Sequence, residues 1–225
     1  DSACVLTLPS RDVAAAQVLL RAGFMPLSTL AVTGGARPAR RHGRLPAELR
    51  IRRAGPADLA AVLHLALAEL RYSVEVSGVV ERTDSETLKR VALRYRLSTA
   101  DPVWLAERHG EAVGLLESAV SDVDREASRP PLLRPGRWSF VNCLSVLPGV
   151  RGTGVGSQLV AAANREFIER GSDRGYVYYS SFNPLSSVFW PRHGYRPLWT
   201  TWELRPSAAL LRPWGRRSAC SPPRA

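Results

Sequence analysis

Lysine is almost missing from this chain of 225 residues: of its 31 basic residues, Lys89 alone is lysine and the other 30 are arginine. That excludes a nucleotide-triphosphate loop of the Gly-Lys-Ser/Thr kind, whose lysine would have no counterpart here. Cysteine is scarce as well. Cys4, Cys143 and Cys220 are odd in number and widely spaced, with no Cys-x-x-Cys and no paired histidines. Neither a disulfide framework nor a structural metal is expected. No apolar run approaches the roughly 20 residues that cross a bilayer, and the first residues lack the basic-then-apolar order of a signal peptide. A cytoplasmic protein with no membrane partner is expected.

Acidic residues are few enough to leave a net charge of +11, and its location matters more than its size. Residues 35–53 hold seven Arg against Glu48, and residues 205–225 hold five Arg and no acid. The rest of the chain is neutral. The basicity therefore belongs to a linker and a tail, and the arginine skew fits the codon bias of a GC-rich genome. Nucleic acid is not expected as a partner.

What is present reads as alternating strands and helices. Leu49 to Arg52 alternates as a short strand. Pro56 and Asp58 open a helix whose apolar stripe is Leu59, Val62, Leu63, Ala66 and Leu70, and a second helix covers Ser85 to Leu97. Pro102 to Val120 predicts a hairpin around His109-Gly110, followed by a polar, proline-broken loop over 121–137. Trp138 to Leu147 is the next strand, with residues 138, 140, 142, 144 and 146 on one face by alternation. A helix over Gly154 to Arg170 follows, ended by Gly171. Then come a strand at Tyr176–Tyr179, a helix from Asn183 to the stop at His193-Gly194, and a last strand from Trp199 to Leu204. Pro206, Pro213, Pro222 and Pro223 among arginines predict a disordered tail.

The residues that carry chemistry sit between the 138–147 strand and the helix after it. Gly152, Gly154 and Gly156 let the backbone turn tightly and approach a ligand closely. The freed amides of Arg151 to Ser157, at the positive end of a helix, suit a pyrophosphate. A dinucleotide site would place an acid at the end of the next strand, and that strand runs into Ser180-Ser181-Phe182 instead.

An internal correspondence links the two ends of the chain. Shifted by 171 positions, Arg21, Gly23, Pro26, Leu27 and Thr29 fall on identical residues at 192, 194, 197, 198 and 200, Phe24 falls on Tyr195, and Asp12 falls on Asn183. Residues 1–34 therefore read as a partial repeat that keeps only its final third.

The strand ending at Val146-Leu-Pro148 with Arg151, Gly154 and Gly156 fits the signature Arg/Gln-x-x-Gly-x-Gly/Ala. Asn183, Ser186, Gly194 and Tyr195 fit a second element, with Trp190 standing where that element has Tyr. On these motifs residues 49–204 resemble the GNAT superfamily of acyl-CoA-dependent N-acetyltransferases. The resemblance implies an α/β fold, a mixed central sheet with helices on both faces, carrying an N-terminal partial GNAT repeat. The organisation is then the partial repeat at 1–34, an Arg-rich linker at 35–48, the acetyltransferase domain at 49–204 and a basic tail at 205–225.

The resemblance further implies acetyl-CoA as co-substrate, with no metal, and direct attack of a small-molecule or peptide amine on the thioester. Leu144, Ser145 and Val146 would offer backbone groups to the pantetheine arm. Arg151, Gly152, Thr153, Gly154, Val155, Gly156 and Ser157 would hold the pyrophosphate, and Asn183 would approach the pantetheine or simply cap its helix. Glu69 and Tyr72 would line the acceptor side. Trp190 occupies the place of the proton donor, which an indole cannot be near neutral pH, and Pro191 disfavours a helical Trp190. Tyr195 or Tyr179 would then donate, with a place in the core as the alternative for each, and Glu117 would drive deprotonation of the amine through water or stand as a solvated carboxylate. The family resemblance also admits a homodimer. A competing reading is a non-catalytic acyl-CoA-binding or interaction module, because the expected Tyr is missing.

Overall fold

A computed structural model describes residues 3–34, 48–77, 82–124 and 132–205. The linker expected at 35–48 apart from Glu48, the tail expected at 205–225 apart from Arg205, and the centre of the 121–137 loop lie outside them. The described residues form eight strands and five helices. In chain order these are β1 (Cys4–Pro9), α1 (Val13–Arg21), β2 (Met25–Gly34), β3 (Leu49–Arg53), α2 (Leu59–Ser77), α3 (Ser85–Leu97), β4 (Val103–Arg108) and β5 (Glu111–Val123). They continue with β6 (Gly136–Val146), α4 (Val155–Glu169), β7 (Arg174–Tyr179), α5 (Ser186–Arg192) and β8 (Arg196–Leu204). All eight strands join one mixed sheet in the order β1-β8-β2-β7-β6-β5-β4-β3.

Each face of the sheet carries helices because each helix has one apolar stripe to bury. Val62, Leu63, Ala66 and Leu93 of α2 and α3 pack with Leu105, Leu115 and Cys143 on one face. Leu159, Val160, Ala163 and Phe167 of α4 pack with Ala106, Leu116 and Val141 on the other. Cys143 is thus a small core residue, and burial pushes its thiol well above the usual range. An ion-pair cluster ties the domain's start to its first helix: Arg52 bonds Asp58 at 2.7 Å and Glu107 at 2.6 Å, and the guanidinium lowers the Asp58 carboxyl.

Three local expectations are corrected. The 121–137 loop is shorter than its polarity and prolines suggest, because β5 runs on to Val123 and β6 starts at Gly136, paired to each other. Pro191 stays inside α5, near the end of a seven-residue helix, where burial of Trp190 against Phe189 and Tyr195 outweighs the pre-proline bias. The alternation of β6 breaks at Asn142, where the register with β5 shifts between Glu117 and Ser118. This bulge moves Val141 onto the face of Leu144 and Val146 and turns Cys143 to the opposite one.

Residues 3–34 are woven into the sheet. β2 lies between β7 and β8, and β1 covers the outer edge of β8, all antiparallel. The offset of 171 residues relates these elements throughout. It carries Cys4–Leu204 onto Gly175–Thr33, and Met25–Glu203 onto Arg196–Val32. The extra residue of the bulge in β2 is Leu27, and that in β8 is Leu198. Gly23 and Gly194 end their helices at φ 89° and 90°, a left-handed conformation glycine alone adopts without strain. Phe24 and Tyr195 follow, each 2% exposed. The two β-α-β units are related by a pseudo-two-fold axis normal to the sheet, passing between Thr29 and Thr200.

Candidate active site

The site begins where β6 and β7 stop pairing. Their parallel ladder runs only from Ser139–Gly175 to Val141–Val177, and beyond it the bulge at Asn142 steers β6 away. Between the parted strands opens a cavity of about 860 Å³. Leu144, Ser145 and Val146 line one wall, and Tyr178, Tyr179 and Ser180 the other. Backbone groups of both strands are left there without a sheet partner, a condition that favours an extended ligand.

The glycine loop closes one end. Gly152 and Gly154 have φ of 78° and 92°, and a side chain at either would meet nothing within 4 Å, so their conformation rather than crowding demands glycine. Gly156 has a different task. A Cβ there would stand 3.2 Å from the Phe189 ring, so this glycine lets α5 close on α4. Gly154 caps α4 without a side chain, and the first amides of α4 have no partner within the helix. Arg151 lies across the mouth: its Nε donates to the Val146 carbonyl at 3.0 Å and its guanidinium sits 4.7 Å from the Tyr72 ring. Space, open amides and a cation together suit a diphosphate. Thr153 departs from the expected set, since its hydroxyl turns back to donate to the Val150 carbonyl at 2.7 Å and it does not line the cavity.

Ser157 meets His193, expected only as part of the helix stop. The Nε2 of His193 lies 3.1 Å from Ser157 Oγ, and Nδ1 lies 2.8 Å from the Phe189 carbonyl, which only a protonated Nδ1 satisfies. In the neutral imidazole, Nε2 therefore accepts from the serine hydroxyl. Nothing in the spacing announces this pair, because the two residues meet only through the packing of α5 on α4. Asn183 caps its helix and stands at the cavity. Its Oδ1 accepts from the Leu185 and Ser186 amides at 3.0 and 3.1 Å, and the residue lines the cavity.

The three catalytic candidates fare differently. Trp190 lines the cavity but is 5% exposed. Tyr195 is not in the cavity: it is buried against Trp190, and burial raises its hydroxyl far above the ordinary value. Glu117 is neither solvated nor at the cavity wall. It is 2% exposed, with Lys89 Nζ at 3.2 Å, Arg96 Nε at 3.7 Å and Asn142 Nδ2 at 3.1 Å, so its charge is already compensated. Burial works against the Lys89 ammonium, but Glu117, together with Cys143 and Glu69, offsets it and raises its pKa. Tyr179 does reach the cavity, half-buried, and burial raises its hydroxyl above the ordinary tyrosine value. Glu69, accepting from Ser73 at 2.6 Å, is the one carboxylate along the cavity among the described residues. Leu27 and Ser28, from the N-terminal unit, line it too.

Residues 99–197 match the family described as acetyltransferase (GNAT) domain. Within that stretch the chain is similar to GNAT acetyltransferases. Solved structures agree at the level of fold. A GCN5-related N-acetyltransferase from Ralstonia eutropha is 21% identical at a TM-score of 0.53, covering 66% of this chain and 93% of its own. A predicted acetyltransferase from Clostridium acetobutylicum, solved with acetyl-CoA, is 16% identical at 0.51, covering 62% and 86%. An aminoglycoside N-acetyltransferase in complex with CoA is 18% identical at 0.51, covering 66% and 88%. A search of the curated proteins found no match. No helix among the described residues is long and apolar enough to cross a membrane. The GNAT match begins after α3, so both the N-terminal unit and α2, which bears Glu69 and Tyr72, lie outside it.

Proposed function

We propose that the GNAT domain transfers the acetyl group of acetyl-CoA to the nitrogen of a small-molecule or peptide amine, in the cytoplasm. The observation that carries this reading is the parting of β6 from β7 directly above the open glycine loop. The cavity there is lined by Leu144, Ser145 and Val146 and by the glycine loop, so an arm between the strands would meet amides suited to its phosphates. Gly152, Gly154, Val155, Gly156, Ser157 and Arg151 would hold the diphosphate, and Leu144 to Val146 the arm. Acetyl-CoA supplies the activated acyl thioester. Attack forms a C–N bond and breaks C–S, so a proton must leave the amine and one must reach the departing sulfur.

Tyr179 is the proton donor favoured by position and protonation: it stands at the cavity wall, and its raised pKa keeps it neutral at pH 7. Glu69 is the carboxylate available to an ammonium arriving from the α2 side. We also propose that residues 1–34 are the final third of a GNAT repeat fused to the domain at 49–204, a reading supported by their shared registers and caps. The buried Trp190 in the usual donor position favours a second reading, a non-catalytic acyl-CoA-binding module. Calorimetry with acetyl-CoA and thiol release over a panel of amines separate the two. Binding with amine-dependent CoA release is expected, binding without release supports the module, and absence of binding overturns both.

A further inference from the structure

The N-terminal unit does more than widen the sheet. In β2 the register with β8 passes from Pro26–Trp202 to Ser28–Thr201, leaving Leu27 as the unpaired residue of a bulge. Thr29 pairs with Tyr179 of β7, so Leu27 and Ser28 run on beside the end of that strand, across it from β6. Thr29 Oγ1 lies 3.2 Å from Ser181 Oγ and holds the two segments together. There Leu27, 38% exposed, joins the wall of the cavity. The phosphate-binding elements are on the β6 and α4 side. β7 therefore separates the cofactor's channel from the part of the cavity that β2 borders.

Charge differs along the cavity as well: Arg151 and Arg192 are at the glycine-loop and α5 end, and the carboxylate of Glu69 is on the wall formed by α2, which packs on β6. An acceptor amine carries positive charge before it reacts and is repelled from the first end and drawn to the second.

We infer that β2 forms part of the acceptor site, and that Leu27, with Ser28 beside it, determines which amines are accepted by contacting the apolar body of the acceptor. This rests on the N-acetyltransferase reading above. Leu27 is placed by its bulge rather than by burial in the core, so its replacement leaves the fold intact. The pseudo-two-fold axis supplies an internal control. Leu198 is the bulge residue of β8, is 36% exposed, and does not line the cavity.

The test uses the full chain and its Leu27→Ala, Leu27→Trp and Leu198→Ala variants, with acetyl-CoA and a series of primary alkyl and arylalkyl amines. Removing or adding apolar bulk in a specificity pocket alters discrimination by roughly 10-fold or more. Leu27→Ala is therefore expected to raise KM for the preferred amine about 10-fold. Leu27→Trp is expected to shift the rank order toward smaller amines. Melting temperature and acetyl-CoA affinity are expected to match the unaltered chain in both, and Leu198→Ala to change nothing. Unchanged KM and rank order in both Leu27 variants, beside an active parent, overturn this inference alone. Equal shifts in KM for Leu198→Ala overturn it too. If the parent binds acetyl-CoA but acetylates no amine in the series, the transferase reading falls and this inference with it.

Discussion

The units β1–α1–β2 and β7–α5–β8 have matching registers, bulges and helix ends, yet they stand in different relation to the cleft. On one side β7 pairs with β6 for three residues and then parts from it, and α5 packs on α4 through Phe189 against Gly156. On the other, no strand among the described residues pairs with the outer edge of β1. The equivalents show the consequence. Val177 is 3% exposed and its counterpart Leu6 40%, while the counterpart of Phe189 is Val18, 47% exposed. Where β7 ends in Tyr179, β1 has Leu8. A β-α-β unit is thus a frame, and the site depends on which strand diverges from it.

The largest effect that sharpens this comparison concerns the two buried aromatics. Phe24→Ala and Tyr195→Ala should each cost about 3–5 kcal/mol, as core truncations do. Because one sheet contains both, Phe24→Ala should lower the melting temperature of the whole chain and of acetyl-CoA binding together. Separate unfolding transitions seen by circular dichroism and by ligand binding would break the comparison.

Next comes Tyr179→Phe, expected to lower kcat about 100-fold if this hydroxyl is the proton donor. The donor must be protonated, so activity of the parent holds below its raised pKa and falls as pH rises through it. That fall should vanish in the variant, and a pH–rate profile reads both. The companion Leu8→Tyr should add nothing.

A smaller loss is expected at the helix contact. Gly156→Ala would press a methyl into Phe189 and should cost about 1–3 kcal/mol, weakening acetyl-CoA binding measured by calorimetry. Val18→Ala, on the exposed side of α1, should stay within about 0.5 kcal/mol. Equal effects would mean that α1 has a covering partner as well.

The smallest difference is at the caps. Asp12 accepts from the Ala15 amide at 2.9 Å, as Asn183 accepts from Ser186. Asp12→Ala and Asn183→Ala should each cost about 1 kcal/mol in denaturant unfolding. Only Asn183→Ala should also weaken acetyl-CoA binding, because only that cap lines the cavity.

Much of this was legible in the chain itself. Helical spacing from Leu59 to Leu70 and the caps at Gly154 and Asn183 depend on neighbours within a few residues, so they can be read locally. The glycine loop between a strand and a helix likewise carries its own geometry. The bulge at Asn142 was not legible, because it arises from a register with β5 that no local pattern encodes, and it overturned the expected face of β6. Glu117 looked like a free carboxylate since its cations, Lys89 and Arg96, come from another element. Of the two readings open for Tyr195, donor and core, its burial favours the core.

The sequence alone determined the order of elements, the phosphate-suited loop and the correspondence between Phe24 and Tyr195, because each is written in residue types at fixed short spacings. Only the tertiary structure decided that β2 enters the sheet between β7 and β8 and brings Leu27 to the cleft. Strand order is settled by pairing between residues some 150 positions apart, such as Thr29 with Tyr179, and such pairing leaves no periodic trace in the sequence.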